Sequence, residues 1–353
     1  MKLLLITQKV DTNDPILGFF HRWIEAFSKH YESLVVICLQ KGAYDLPGGV
    51  RVFSLGKEHK ELGIKKNAVW KKITYVWNFY CLIWRERRSY DAVFVHMNQE
   101  YVLLGALVWK ILGKKVVLWY NHTHGNILTR VAIILADTVC HTSPFAFTAE
   151  TKKSQQMPAG IDTGLFRSYE GSIREPRSIM YLGRIAPLKR VDVLLEAAKI
   201  LDEQKIDFVL DIYGDAAADD FEYMKRLKEF SMPLQKKNKL FFRGAVPNSA
   251  APKVFNTHLV SVNLTPKGNY DKTVLESMAC ETLPLVSSPA FADIIPLELR
   301  FKENDPVDLA KKITFVFSLP DASLTQHRNR CRREVENNHA LVLLAFKLTT
   351  IFS

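Results

Sequence analysis

Short apolar segments alternate with amphipathic segments along the front half of the chain. Residues 2–7 form an apolar run that ends in polar residues, and Gly18 follows in a polar loop. Over residues 20–27 the apolar side chains recur at helical spacing, and a second apolar run occupies residues 34–39. A strand, a glycine-containing loop, a helix and a strand in this order predict a βαβ unit with a parallel sheet.

The same alternation continues to residue 120 and starts again in the back half. Further strands of the front half are predicted at residues 92–95 and 116–120, with a helix at 101–112 between them. The strands predicted in the back half are residues 179–182, 208–213, 240–242, 259–264 and 283–286. Its predicted helices are residues 191–201, 273–280 and 340–352. The pattern therefore predicts two doubly wound α/β domains in tandem.

The domain limits follow from a polar stretch at residues 169–177, which is interpreted as a linker. It divides an N-terminal domain, residues 1–170, from a C-terminal domain, residues 171–338, and leaves residues 339–353 as a final helical segment. Ligands of open α/β sheets bind outside the carboxyl ends of the strands, so a cleft between the two domains is the expected place for a shared ligand.

Composition and charge fit this organisation and restrict the chemical class of the binding partner. The 353 residues are 48% hydrophobic and 24% charged, which is typical of a globular protein and excludes a disordered or fibrous chain. The formal net charge is +11, of which residues 1–170 carry +8. Such a field favours an anionic partner: phosphate, nucleic acid or an acidic membrane surface.

Cysteine usage and apolar segment lengths indicate the compartment. The five cysteines are widely spaced and include no CxxC pair, which argues against a disulfide framework or a zinc ribbon and favours a reducing compartment. The N-terminal apolar run is too short for a signal peptide, and no apolar stretch reaches about 18 residues. We therefore expect a cytoplasmic protein without a membrane span.

A glycine and two cations follow the first strand of the back half. Gly183 allows the chain to turn, and Arg184 and Lys189 lie in the loop before the next helix. Two cations at the carboxyl end of a strand suit a diphosphate, since arginine offers a planar fork and lysine a point charge. The alternative is a solvated loop with two surface cations.

A polar loop and a helix start follow a later strand, within residues 263–288. The helix is predicted to begin near Thr273 and Val274, and free backbone N–H groups at such a start bind phosphate. Glu276 in the first turn could accept hydrogen bonds from ribose hydroxyls. The alternative is that Glu276 is only a favourable first-turn acid.

Together these segments resemble glycosyltransferase family 4, the retaining nucleotide-sugar transferases of the GT-B fold. The similarity rests on Gly183, Arg184 and Lys189 in a Gly-Arg-x-x-x-x-Lys segment and on four further segments: IYGD at 212–215, RGAVP at 243–247, LESMACETLP at 275–284 and PAGIDTGLF at 158–166. The resemblance implies two Rossmann-like domains that face each other across a cleft. It also implies that the final helix crosses back to the N-terminal domain.

The resemblance also implies roles for individual residues. Arg184 and Lys189 would hold the donor diphosphate and neutralise the leaving group, Glu276 would bind the ribose, and Val246 would lie beside the base. In the front half, Gly18 would approach the donor phosphates. A histidine of the WYNHTHGN segment would line the sugar site, and His122 is favoured over His124. A structural loop residue is the alternative for each histidine.

One position departs from the family pattern. The first of two family glutamates would fall at Gly268, so Asp271 and Lys272 are hypothetical replacements for the sugar contacts. No Asp-x-Asp pair occurs, and with Arg184 and Lys189 available no metal or other cofactor is expected. The P-loop and GxGxxG motifs are also missing from the sequence, which disfavours a phosphotransferase or an NAD-dependent dehydrogenase.

Residues 70–91 combine aromatic and basic side chains. The cations of this stretch are Lys71, Lys72, Arg85, Arg87 and Arg88. Tryptophan and tyrosine with flanking cations suit the interface of an anionic membrane, and lipid-linked acceptors are common in the family. The alternative is a helix buried against the sheet with solvated ends. No nucleic-acid-binding motif surrounds these cations, so nucleic acid is not an expected partner.

The predicted function is transfer of a hexosyl unit from a UDP- or GDP-sugar to an acceptor hydroxyl on a glycan, a lipid or a polysaccharide. The resemblance implies retention at the anomeric carbon. Two alternatives stay open: a nucleotide-sugar epimerase or hydrolase of the same fold, and a non-catalytic protein that binds the donor.

Overall fold

The chain forms two compact α/β units in the computed structural model, which describes residues 1–14, 16–58, 68–268 and 270–352. The first unit comprises Met1–Gly160 together with Leu341–Ser353, and the second comprises Ile161–Ala340. Each unit has its own parallel sheet, so each can be described by itself.

A seven-stranded parallel sheet forms the centre of the first unit, counted over its described residues. In chain order its strands are β1 (Lys2–Val10), β2 (Ser33–Lys41), β3 (Val50–Ser54), β4 (Ala92–His96), β5 (Lys115–Trp119), β6 (Thr138–His141) and β7 (Ser154–Gln156). Their order across the sheet is β3-β2-β1-β4-β5-β6-β7. The helices of the unit are α1 (Phe19–Ser28), α2 (Ala68–Arg85), α3 (Gln99–Ile111), α4 (Ile127–Leu135) and α12 (Leu341–Phe352).

Helices cover both faces of this sheet. On one face Trp23 and Phe27 of α1 pack in the same apolar cluster as Leu344 and Leu348 of α12. On the other face α2, α3 and α4 share a second cluster. The apolar side of the final helix is therefore buried against α1, which places this segment in the first unit.

The second unit carries a five-stranded parallel sheet of order β10-β9-β8-β11-β12 within the described residues. Its strands are β8 (Ser178–Leu182), β9 (Val209–Tyr213), β10 (Leu240–Gly244), β11 (Val260–Asn263) and β12 (Leu283–Val286). Its helices are α5 (Val191–Glu203), α6 (Phe221–Phe230), α7 (Met232–Lys236), α8 (Ala251–Thr257), α9 (Lys272–Ala279), α10 (Pro306–Ser318) and α11 (Asp321–Asn338). The chain order reverses between β8 and β11, and ligands of such sheets bind at the carboxyl ends of these strands.

The predicted boundary after residue 170 needs correction, because residues 161–170 are bonded within the second unit. The Ile161 amide donates to the carbonyl of His339 at 2.8 Å, and the Arg332 guanidinium donates to the carbonyl of Phe166 at 2.6 Å. The polar stretch at residues 169–177, interpreted as a linker, lies inside that unit and is exposed or half-buried there. At the other end the change of unit falls after Ala340 instead of after residue 338.

Over the part of the chain that the structure describes, every helix is too short or too polar to cross a bilayer.

Candidate functional site

Three motif segments meet at the carboxyl edge of the second sheet. The Ile185 amide, after β8, donates to the carbonyl of Asp215, after β9, at 3.0 Å. The Asp215 carboxylate in turn accepts from the amide of Ala245, after β10, at 3.1 Å. The Gly214 amide donates to the Gly244 carbonyl at 2.8 Å. These bonds join the loops after β8, β9 and β10 into one connected surface.

At Gly214 the loop after β9 packs tightly against the loop after β8. Its backbone has φ of +144°, and an added Cβ would lie 1.8 Å from the carbonyl oxygen of Gly183. Any side chain at position 214 must therefore push away the loop that carries Arg184.

If the nucleoside-diphosphate sugar predicted from the sequence binds at this surface, Gly214→Ala should lower its affinity about tenfold, and the variant should also have a lower unfolding temperature. Isothermal calorimetry and thermal unfolding measure the two effects. Gly171→Ala is the matched control, since Gly171 has φ of +75° but open space where its Cβ would be. Equal behaviour of the two variants would contradict the proposed close contact.

Lys189 links the loop after β8 to the loop after β11. Its Nζ lies 2.6 Å from Asp271 Oδ2 and 3.2 Å from Thr265 Oγ1. Asp271 Oδ2 also accepts hydrogen bonds from Asn263 Nδ2, at 3.0 Å, and from the hydroxyl of Thr265. Arg184 lies in the same loop as Lys189, and its side chain is exposed. The structure thus places both sequence-predicted cations at one edge of the sheet.

Asp271 is held in its charged form by these contacts. Burial alone would raise the pKa of the carboxyl, but the charge of Lys189 and the hydrogen bonds from Lys189, Thr265 and Asn263 bring that pKa below its ordinary value. The sequence suggested Asp271 as a sugar contact. In the structure its carboxylate is engaged by Lys189, so it orients the cation that a diphosphate would contact.

The first turn of helix α9 comes directly after Asp271 in the chain. The helix begins at Lys272, and Asp271 is its N-cap residue in extended conformation. The first N–H groups of a helix lack acceptors within the helix and attract anions. Thr273 is partly exposed at this turn, whereas Val274 is buried and packs into the unit.

Glu276 lies one turn further along α9 and is 4% exposed. Asn248 Nδ2 donates to its Oε1 at 3.2 Å. Burial raises the pKa of Glu276 to about 7, against the opposing effects of the Lys272 charge and the Asn248 hydrogen bond. Burial also lowers the pKa of Lys272 well below its ordinary value. Sequence reasoning missed Asn248, although it comes directly after the RGAVP segment that contains Val246.

The second unit therefore brings together most of the predicted site residues. Those on the loops and helix starts that follow β8, β10 and β11 are Gly183, Arg184, Lys189, Val246, Asp271, Lys272, Thr273, Val274 and Glu276. Over the described residues, no group of three histidine, cysteine or acidic side chains is arranged to hold a metal ion.

The other two predicted residues lie in the first unit. Gly18 precedes α1, and a Cβ there would be 2.5 Å from the carbonyl oxygen of Asp14, so a glycine lets the loop pack closely. His122 follows β5 with an exposed side chain, and its ring meets the Tyr120 ring edge-on at 5.1 Å. Desolvation by the surrounding atoms lowers the pKa of His122, although the charge of Glu100 opposes this effect.

Two histidines at the carboxyl edge of the first sheet were not singled out from the sequence. His96 and His141 are the last residues of β4 and β6. His96 stacks on Phe20 with a ring separation of 4.3 Å, and His141 Nδ1 donates to the carbonyl of Ser143 at 2.8 Å. The available signal was their position at the end of an apolar run, which is where side chains of such sheets reach a ligand.

A known family model and several solved structures are similar to the chain. A family model described as glycosyl transferases group 1 matches residues 166–338, which lie within the second unit. A search of curated protein sequences found no match to the chain.

Solved structures are similar to the chain over nearly its whole length. Anabaena Alr3699/HepE in complex with UDP and glucose is 16% identical, with a TM-score of 0.76 and 99% of each chain covered. A glycosyltransferase from Rickettsia africae is also 16% identical, with a TM-score of 0.77, covering 99% of this chain and 97% of its own. The sucrose-phosphate synthase of Thermosynechococcus elongatus is 13% identical, with a TM-score of 0.79, covering 100% and 98%. These likenesses confirm the predicted GT-B fold class.

Proposed function

We propose that the chain is a glycosyltransferase that moves a glycosyl unit from a nucleoside-diphosphate sugar to an acceptor hydroxyl. The observation that carries the proposal is the contact of Lys189 with Asp271 and Thr265, which joins the Arg184 loop to the loop before α9. The group 1 family model over the same unit supports it, as does the similarity to a structure that contains UDP and glucose.

The proposed chemistry starts from charge on the diphosphate. When the bond between the anomeric carbon and the diphosphate oxygen breaks, its electron pair stays on the diphosphate. Arg184 and Lys189 stabilise this added negative charge, and the N–H groups at the start of α9 contribute to the same effect. The acceptor oxygen forms the new bond to the anomeric carbon and loses its proton.

The remaining donor contacts fall on the same surface. Glu276, oriented by Asn248, accepts hydrogen bonds from the ribose hydroxyls, and Val246 packs beside the base. For His122 and Gly18, which belong to the first unit, we propose only the roles that the family 4 resemblance implies: His122 as a residue of the sugar site and Gly18 as a residue near the donor phosphates.

The proposed donor sugar, stereochemistry and acceptor follow from the resemblance to family 4. We propose a hexosyl donor, retention at the anomeric carbon, and an acceptor on a glycan or a lipid-linked carrier. Because two cations serve the leaving group, the reaction is proposed to proceed without a metal ion, and turnover should persist in a chelator.

Calorimetric titration with UDP, GDP, ADP and their common sugars, in the absence of metal, tests the donor part of the proposal. We expect micromolar binding of one nucleoside diphosphate and of its sugars. Product analysis with candidate acceptors then distinguishes transfer from hydrolysis or epimerisation, since transfer yields a glycosylated acceptor and a free nucleoside diphosphate. Folded protein that binds none of these nucleotides would contradict the proposal.

A non-catalytic donor-binding protein is the second candidate, and Gly268 favours it. This position is buried with φ of +94°, where the family pattern carries a glutamate. Such a protein would bind the nucleotide with normal affinity and give no product with any acceptor.

A further inference from the structure

The outer face of α2 in the first unit carries three exposed tryptophans. Trp70, Trp77 and Trp84 are 62%, 68% and 56% exposed. They are seven residues apart, so they lie on one side of the helix at intervals of about 10 Å. Ile73, which is 50% exposed, lies on the same stripe. A run of large aromatic side chains on the water-facing side of a helix is unusual for a soluble domain.

The orientation of α2 is fixed by its other side. Phe79 and Ile83 are fully buried in the cluster beneath α2, α3 and α4. Asn78 Nδ2 donates to the carbonyl of Leu55 at 3.0 Å, and Glu86 is 6% exposed. The inner side of α2, and Glu86 directly after it, are therefore packed against the rest of the unit, and the tryptophans lie on the opposite side of the helix.

The neighbouring helix extends this apolar surface. Tyr80 Oη donates to the carbonyl of Leu104 in α3 at 3.0 Å, which ties the two helices together. Leu107 and Ile111 of α3 are 71% and 77% exposed. A shallow apolar groove between the helices is lined by side chains of both, including Trp77, Trp84 and Val108. We call the surface formed by the exposed apolar side chains of α2 and α3 the tryptophan face.

Cations outnumber carboxylates along α2 and the turn that follows it, whereas α3 contributes one exposed carboxylate, that of Glu100. Residues 68–88 contain five cations and a single carboxylate, that of Glu86. This carboxylate is neutralised within the fold by Arg51, at 2.8 Å, and Arg85, at 3.0 Å. The Arg87 guanidinium lies over the Trp84 ring at 4.6 Å, which joins the cationic end of α2 to the aromatic stripe.

We propose that the tryptophan face docks onto the headgroup region of an anionic lipid membrane. Tryptophan rings prefer the boundary between headgroups and acyl chains, and flanking lysines and arginines are attracted to anionic lipids. An exposed apolar stripe with cations at both ends satisfies both requirements. The face lies wholly in the first unit, so this inference stands apart from the donor chemistry of the second unit.

Charge also argues against a second copy of the chain as the occupant. In a two-fold dimer the same surface would meet itself, and its cationic rim would oppose an identical rim. An anionic membrane removes that repulsion.

Flotation of the full chain with lipid vesicles tests the proposal. We expect binding to vesicles of phosphatidylcholine mixed with phosphatidylglycerol, with a blue shift of tryptophan fluorescence, and much weaker binding to phosphatidylcholine alone. The triple variant Trp70→Ser, Trp77→Ser, Trp84→Ser should lose binding to the anionic vesicles by about tenfold or more. Arg87→Gln with Arg88→Gln should weaken the same binding and reduce its salt dependence.

The matched control removes exposed aromatic residues elsewhere. Phe221 and Phe230 of α6, in the second unit, are 60% and 48% exposed, and changing both to serine should leave vesicle binding unchanged. Thermal unfolding shows whether each variant is folded. Equal binding to neutral and anionic vesicles, an equal loss in the phenylalanine control, or full binding by a folded tryptophan variant would overturn the proposal. So would a dimer in lipid-free solution that the tryptophan variant abolishes.

Discussion

Arg184→Ala should reduce kcat/KM for the sugar donor by about a hundredfold to a thousandfold, while the unfolding temperature stays within about 2 °C of the parent. The Arg184 side chain is exposed, so its removal disturbs little packing. The loss should appear mainly in kcat, since the negative charge on the diphosphate increases as the sugar bond breaks. Initial rates with the donor identified by calorimetry measure the effect.

The control for this variant is Arg226→Ala, which removes an exposed arginine from α6 outside the donor loops. It should leave both kinetic constants unchanged. If the Arg184 variant turned over at the parental rate, the assignment of Arg184 to the leaving group would be wrong.

Lys189 should behave differently because it also neutralises Asp271. Lys189→Ala removes a diphosphate contact and leaves the Asp271 carboxylate without its cation at 2.6 Å, so both activity and stability should fall. The double variant Lys189→Ala, Asp271→Asn should recover stability but not activity. This pattern separates the electrostatic role of Lys189 in the site from its role in the fold.

Hydrophobic runs predicted the central strands because parallel strands are buried on both faces. β1, β4, β8 and β11 are almost wholly buried and were all predicted. The edge strand β3 was missed because none of its five side chains is fully buried, so the segment does not form a continuous apolar run. β6 and β7, which are only four and three residues long, were also missed, and β7 has no buried side chain. Position in the sheet does not explain the difference, since β6 is an interior strand whereas the predicted strands β10 and β12 lie at the edges of their sheet.

Some features of the candidate site could be predicted from local segments of the sequence, and others could not. Segment resemblance singled out Arg184, Lys189 and Glu276, whereas the pairing of Lys189 with Asp271 joins residues 82 positions apart. That pairing depends on β8 and β11 being neighbours in the sheet, and local sequence patterns do not encode which strands become neighbours. For the same reason Asn248 could not be connected with Glu276 from the sequence.

For the aromatic segment at residues 70–91, the expectation of a buried helix is right for the inner side of α2 and wrong for its outer side. Apolar residues all round a helix favoured a buried helix, yet Trp77 is 68% exposed. A sheet contacts only one side of a helix that lies on it, and the inner side of α2 is already occupied by Phe79 and Ile83. Composition thus predicted the helix but could not predict which apolar side chains face water.

Glu276→Ala should weaken donor binding about 100-fold, because a carboxylate that accepts two ribose hydroxyls contributes two charge-assisted hydrogen bonds. The same contact predicts a pH dependence. Burial raises the pKa of Glu276 to about 7, so the accepting carboxylate is populated above this pH and lost below it. Affinity for the nucleoside-diphosphate sugar should therefore fall about tenfold between pH 8 and pH 6.

The pH titration should use the nucleotide sugar instead of the free nucleoside diphosphate. The terminal phosphate of a free nucleoside diphosphate itself takes up a proton near pH 6, as phosphomonoesters do at about that pH, and would add its own pH dependence. Glu276→Gln should bind more weakly than the parent with an affinity that no longer changes between pH 6 and pH 8. Glu196→Gln, at an exposed position of α5, should keep the parental profile. If the Glu276→Gln variant retained the parental pH dependence, another group would be responsible, and the ribose contact would have to be assigned elsewhere. A flat profile in that variant alone would instead tie the pH dependence to the buried carboxylate that Asn248 orients.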